Sequence, residues 1–205
     1  MDKKQKILIA TTNPGKMKEL SQLLNADAEW LSLADFPNIN EVEEDGKTFA
    51  ENARKKAIGY AKQTGLWTIA DDSGLMVDAL DGAPGVNSAR FSGAKEKNRE
   101  LLDHKNMAKL LDLLKDVPDE KRTARFVCSI CLASPEKVLI KTQGLLEGVI
   151  GRVQKGSNGF GYDPLFVVPA SSKTVAQLSN EEKNQISHRA NAIRNFNSLL
   201  TPLLP

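Results

Sequence analysis

Between Lys6 and Asp71, short apolar β-prone runs alternate with stretches of helical spacing, and no other feature of the chain limits its fold as strongly. KILIAT (6–11) ends in TNPG, where Asn13 can cap a helix and Pro14 falls in its first turn. Met17, Leu20, Leu23 and Leu24 then recur at helical spacing, and WLSL (30–33) reads as a second strand. PNINEVEEDG (37–46) is a polar loop. Thr48 and Glu51 form a capping box, T-F-A-E, ahead of a helix carrying Ala53, Ala57 and Ala61 and stopped by Gly65. A third strand, WTIAD (67–71), leads into an acidic loop. This alternation predicts an α/β fold with a largely parallel or mixed sheet.

The second half differs. ARFVCSICLAS (124–134) and KVLIKTQGLLEG (137–148), separated by the turn residues SPEK, predict a long antiparallel hairpin. A glycine-rich segment, KGSNGFGYDP (155–164), a strand, LFVV (165–168), and a polar helical region follow. The basic run at 95–99 precedes a helical NMAKLLDLLKD whose lysines and aspartates predict a solvated face. The 205 residues fit a single domain, 1–205, with room for two lobes, and neither repeats nor a separating linker interrupt it.

Composition excludes several classes. Apolar residues are 40% and charged residues 26% of the chain, and no run is long enough to span a bilayer, so no membrane partner is expected. MDKKQK precedes too short an apolar stretch for a secretory signal, so the expected location is cytoplasmic. A formal charge of +2 does not mark a nucleic-acid surface, and no nucleic-acid partner is expected. Cys128 and Cys131 form a lone C-x-x-C inside a strand, where residues three apart face opposite ways, so they are read as buried thiols and not as a redox or zinc pair.

Four segments carry candidate chemistry. In TTNPGK (Thr11, Thr12, Asn13, Pro14, Gly15, Lys16) a turn opens a helix, whose free N–H groups and positive dipole end suit a phosphate, although the pattern is not a Walker A loop and an ordinary capped turn reads the same way. In ADDSGL, Asp71 and Asp72 repel one another at the end of an apolar strand, an arrangement a hard divalent cation relieves, with Glu43 and Glu44 as further carboxylates; a turn cap beside a solvated Asp is the plainer alternative. GSNGFGYDP offers Phe160 and Tyr162 as faces for a nucleobase and Asp163 as an acceptor, or simply a hairpin connection. Lys183, His188 and Arg189 gather near a helix that Ser187 can cap, a setting for an anionic ligand.

Together these residues resemble those of the inosine triphosphate, or non-canonical purine triphosphate, pyrophosphatases. The resemblance rests on T-x-N-x-G-K (11–16), T-F-x-E-N-A (48–53), A-D-D-S-G-L (70–75), G-A-P-G-V-x-S-A-R (82–90), G-F-G-Y-D-P-x-F (159–166) and E-E-K-N-x-I-S-H-R (181–189), in that order, while 91–122 and the C-terminus match loosely. It implies a central mixed, twisted sheet with flanking helices, two α/β lobes around a nucleotide-binding cleft, a homodimer, a purine nucleoside triphosphate substrate and Mg2+ as cofactor. It also implies site residues: Thr11 to Lys16 with Lys56 at the phosphates, Asp72 as proton acceptor and metal ligand, and Glu44 as second metal carboxylate. Asp71 would support them, Ser73 would touch the substrate, and Phe160, Gly161, Tyr162 and Asp163 with Lys183, His188 and Arg189 would bind the base. The implied reaction is attack of water on the α-phosphorus, with Asp72, Lys16 and Lys56 catalytic. Two alternatives remain open: a Maf-like nucleotide pyrophosphatase of different base preference, whose first loop is typically richer in serine and arginine, and a nucleotide-binding module without turnover.

Overall fold

The computed structural model describes residues 4–204. Strands β1 (Lys6–Ile9), β2 (Glu29–Ser32), β3 (Trp67–Val77), β4 (Thr123–Ala133), β5 (Val138–Ile150), β6 (Phe166–Val168) and β7 (Lys173–Thr174) hydrogen-bond in the order β2-β1-β3-β4-β5-β6-β7. Helices α1 (Pro14–Leu23), α2 (Phe49–Thr64), α3 (Arg99–Leu113), α4 (Asn180–Ile186) and α5 (His188–Leu200) flank the sheet. β1 runs parallel to β2 and β3, whereas β6 is antiparallel to both β5 and β7, so the sheet is mixed. β4 and β5 are neighbours joined by residues 134–137, far too short a link for a parallel crossover, which makes them an antiparallel hairpin. Ser134 ties that turn, its N–H donating to Lys137 O at 2.9 Å.

The local rules that shaped the helices hold. Asn13 Oδ1 accepts from Lys16 N at the start of α1. Thr48 and Glu51 complete a capping box on α2, and Gly65 ends that helix with φ of 72°. Asn98 caps α3, so this helix begins at Arg99, earlier than the apolar pattern indicated; Lys109, Asp112, Lys115 and Asp116 are exposed, as expected.

The chain forms two compact units. The first comprises residues up to Asp72, Cys128–Gly144 and the segment from His188 onward; the second comprises Ser73–Val127 and Leu145–Ser187. In the first, alternation along the strands sends side chains to both faces. Ile7, Ile9, Ile69 and Cys128 pack with Leu20 of α1 and Phe196 of α5, while Leu8, Ala10, Ala70 and Cys131 pack with Ala53 and Ala57 of α2. Burial on both faces is why these strands read as unbroken apolar runs. The cysteines are free and on opposite faces, and burial pushes their thiols up to about 12 and about 11, which leaves them inert at neutral pH. In the second unit Leu75, Met107, Leu110, Tyr162 and Leu165 surround Phe126 and Phe166, whose rings stack 4.4 Å apart. Among the described residues no helix is long and apolar enough to cross a membrane.

One expectation is corrected. The acidic segment ADDSGL is not a loop, because β3 continues from Asp71 through to Val77. Ser88 Oγ, held by donating to Gly85 O at 2.6 Å, accepts from Leu75 N at 2.9 Å and extends the order of the strand. Gly74 permits the approach, since a Cβ there would lie 2.3 Å from Ser88 Oγ.

A Cβ on Gly144 of β5 would lie 2.2 Å from His188 O and 2.3 Å from Ala192 N, both backbone atoms of α5. Gly144→Ala is therefore expected to destabilise the fold by about 2 kcal/mol or more, whereas Thr48→Ala, which removes one cap, costs about 1 kcal/mol. Urea unfolding of both variants checks the ranking, and the reverse order would contradict the packing described.

Candidate active site

The first unit gathers its charges around β3. Asp71 is 2% exposed, and its Oδ2 lies 3.0 Å from Lys16 Nζ and 3.4 Å from Arg189 Nη2. Arg189, 1% exposed, also pairs through Nη1 with Glu19 of α1. Burial works against the charge on Asp71, but Lys16, Arg189 and Lys56 outweigh it and hold the carboxyl far below its ordinary range. Arg189 is likewise held charged: burial disfavours it, and Asp71 and Glu19 among its neighbours reverse that effect.

Asp72, the next residue, is shifted the opposite way. It is 8% exposed and accepts a hydrogen bond on Oδ2 from Asn52 Nδ2 at 3.0 Å. Burial raises its pKa, and Lys56, Lys16 and Asn52 only partly offset this, while Glu44 adds to it. Lys56 reaches from α2 to Glu44, Nζ to Oε2, at 2.9 Å. Burial would discharge this ammonium, but Asp71, Glu44 and Asp72 together keep its pKa raised. Beside the cluster, α1 opens behind Thr11, Thr12 and Asn13, with Thr11 Oγ1 accepting from Asn13 N at 3.2 Å; Pro14 carries no N–H and Lys16 N donates to Asn13 Oδ1, so Gly15 supplies the first-turn N–H outside the cap. The arrangement provides cations held charged, a helix N-terminus suited to anions, and one carboxylate biased towards taking a proton.

The second unit holds the other candidate residues. Asp163 is buried and its Oδ2 accepts from Lys183 Nζ at 2.7 Å and from Phe160 N at 3.0 Å. Gly159 is required there, because a Cβ would lie 2.0 Å from that oxygen. Lys183 Nζ sits 4.9 Å from the centroid of the half-buried Phe160 ring. Gly161 N donates to Asp103 Oδ2 at 2.9 Å. Tyr162 belongs to the core, with its hydroxyl donating to Ser88 O at 2.8 Å, which leaves Phe160 as the aromatic face of this loop.

A model of the Ham1 family matches residues 7–199. The chain belongs to the Ham1 family. The dITP/XTP pyrophosphatase of Desulforamulus reducens is 51% identical over 199 residues, covering 97% of this chain and 96% of that protein. A HAM1 protein of Coxiella burnetii superposes with a TM-score of 0.87 at 39% identity, covering 97% of this chain and 99% of that one. The Ham1 protein of Staphylococcus aureus gives 0.86 at 40% identity, covering 97% and 100%.

Of the residues singled out from the sequence, Lys16, Glu44, Lys56, Asp71, Asp72 and Arg189 come together in the first unit, and Phe160, Asp163 and Lys183 in the second. His188 belongs to the first unit, buried at the head of α5, and Ser73 begins the second. Sequence reasoning gave no role to Glu19, Asn52 or Asp103. Asn52 stood inside a quoted motif, T-F-x-E-N-A; the other two offered no local sign.

Asp71→Asn would leave the buried charges of Lys16 and Arg189 short of a partner, and is expected to cost roughly 3 to 5 kcal/mol at pH 7. Since folding lowers the pKa of Asp71, its contribution is complete well above the ordinary value of 3.8 and declines as pH falls below it. Urea unfolding at pH 7 and pH 3 should show the gap between variant and parent narrowing by about 1 kcal/mol at the lower pH. A gap that widens on acidification would contradict this electrostatic account.

Proposed function

We propose that the chain hydrolyses non-canonical purine nucleoside triphosphates, dITP, ITP and XTP, to the monophosphate and pyrophosphate, and so clears them from the cytoplasmic nucleotide pool. The observation that carries this reading is the Asp72–Lys56–Glu44 cluster beside the N-terminus of α1, in a chain 51% identical to a protein named dITP/XTP pyrophosphatase.

The cofactor is proposed to be a divalent cation, magnesium. Glu44 Oε2 lies 2.9 Å from Lys56 Nζ, and both of these groups act electrostatically on the buried Asp72. No group of three or more His, Cys, Asp or Glu that could hold a metal occurs among the described residues. Two hard oxygen donors do not fit a closed zinc site, but they fit magnesium, which typically takes one or two carboxylates and completes its shell with water and substrate phosphates. Glu44 and Asp72 would hold the ion, which when bound supplies Lewis-acid neutralisation of phosphate charge.

The opposite shifts of the two aspartates divide their work. Asp71, held ionised by its cations, is a poor base, and its part is to fix Lys16 and Arg189. Asp72, whose proton affinity is raised, orients water and accepts its proton as oxygen attacks the α-phosphorus. The bond from that phosphorus to the bridging oxygen breaks and pyrophosphate leaves. Lys16, Lys56 and the N-terminus of α1 stabilise the charge that develops on the phosphate oxygens. Phe160 provides a face for the base, with Gly161, Tyr162 and Asp163 shaping its loop. Lys183 provides a donor that suits the 6-oxo group of hypoxanthine or xanthine and mismatches the 6-amino donor of adenine. Ser73 and His188 are assigned to substrate contact, and Arg189, committed to Asp71 and Glu19, to positioning. The proposed assembly is a homodimer, which light scattering tests.

Separate incubation with dITP, XTP, dGTP, ATP and dTTP plus magnesium, followed by ion-exchange analysis of products, tests the reading. Monophosphate and pyrophosphate from dITP and XTP, with little from the others, is the expected result. Release of single phosphate would refute attack at the α-phosphorus, preference for dTTP would favour a Maf-like enzyme, and no turnover a binding module. Asp72→Asn is expected to lower kcat at least about a hundredfold while retaining nucleotide binding, as loss of a general base does; near-normal turnover would remove Asp72 from this role.

A further inference from the structure

Asn52 lies near the start of α2 with only 1% of its surface exposed, and its side chain makes two hydrogen bonds that the reaction scheme leaves unused. Oδ1 accepts from Gly46 N at 2.8 Å, and Nδ2 donates to Asp72 Oδ2 at 3.0 Å. A backbone N–H can only donate, so the amide oxygen must face Gly46 and the NH2 group must face Asp72. The amide therefore has one orientation that serves both partners.

Its two contacts join the parts that the proposed chemistry brings together. Gly46 stands two residues after Glu44, and the following N–H groups, of Lys47 and Thr48, both donate to Glu51 Oε2 at 2.7 and 3.1 Å. Three successive backbone donors, of Gly46, Lys47 and Thr48, are thus fastened to side chains in the first turn of α2. Asn52 alone of the two acceptor side chains extends this fastening to β3. Gly46 fits tightly against the amide, since a Cβ there would lie 2.6 Å from Asn52 Oδ1.

The geometry points to Asn52 as a positioning residue for the hydrolysis: its single amide sets the rotation of the Asp72 carboxylate and the place of the Glu44 loop relative to it. This inference rests on the reading of Asp72 as the group that activates water. Displacements of about 1 Å in such constellations are enough to cost on the order of a hundredfold in rate. Ground-state binding of the nucleotide, carried by other residues, should change little.

Two variants separate positioning from simple support of the fold. Asn52→Ala removes both hydrogen bonds; Asn52→Asp keeps an acceptor for Gly46 but cannot donate to Asp72. With dITP and saturating magnesium, both are expected to lose roughly 10- to 100-fold in kcat. KM for dITP should change less than about threefold, as should the calorimetric Kd of a non-hydrolysable α,β-methylene analogue of dITP, because only the transition-state arrangement is disturbed. Should Asn52→Ala fail to fold, Asn52→Asp, which retains the Gly46 contact, carries the comparison. A lowered melting temperature with kcat per folded molecule within about twofold of the parent would overturn the inference, as would weaker analogue binding with unchanged kcat. Asp72→Asn measured alongside distinguishes the two failures. If it keeps turnover, the assignment of Asp72 has failed; if it is inactive while both Asn52 variants are fully active, the positioning role alone has failed.

Discussion

A carboxylate almost out of contact with water is costly unless cations surround it, and Asp71 is such a group. Lys16 comes to it from α1 and Arg189 from α5, and Arg189 returns to α1 through Glu19. The pairings therefore fix two helices against one strand, and the polarity of the cluster dictates where each helix begins. Lys16 can reach Asp71 only because Asn13 and Pro14 start α1 directly after β1, and Arg189 because α5 opens at His188. Packing of Leu20 and Phe196 on Ile7, Ile9 and Ile69 supplies the non-directional hydrophobic force, to which the ion pairs add direction.

The division of labour between the adjacent aspartates follows from strand parity. Ile69 and Asp71 share the face of β3 covered by α1 and α5, whereas Ala70 and Asp72 share the face covered by α2. Asp71 accordingly meets cations from α1 and α5. Asp72 meets Asn52 and Lys56 from α2, with Glu44 opposing them. Small side chains, Ala53 and Ala57 against Ala70 and Ala10, let α2 lie close enough to the strand for these polar groups to reach. One residue step along a strand thus produces two carboxylates of opposite tendency. A loop, the conformation the acidic motif first indicated, would impose no such parity.

What the sequence made legible was local. Caps at Asn13 and Thr48, the stop at Gly65 and the turn at 134–137 need only neighbours a few residues away, and each appears in the fold. The C-x-x-C was resolved by the same short-range logic, since spacing of three on a strand separates the thiols. The continuation of β3 was not legible, because it depends on Ser88, thirteen residues from the Leu75 N–H it accepts. Nor were the partners of Arg189, since Glu19 is 170 residues distant in sequence and Asp71 is 118. Tyr162 looked like a free aromatic face because composition cannot reveal that its hydroxyl meets Ser88 O inside a core.

The two units apply the same physical device to different ends. In the second, Asp163 accepts from both Phe160 N and Lys183 Nζ, so one buried carboxylate fixes a backbone turn and an ammonium together. In the first, Asp71 fixes Lys16 and Glu44 fixes Lys56. A lysine side chain loses much rotamer freedom when it is ordered. Pairing with a carboxylate orders it before any ligand arrives. Such charges need little reorganisation when a phosphate or a base carbonyl comes to them, and that preorganisation is where electrostatic stabilisation of a transition state comes from. The glycines mark how closely this is built. At Gly46 and at Gly159 a single Cβ would press on the oxygen that does the anchoring, Asn52 Oδ1 in one unit and Asp163 Oδ2 in the other.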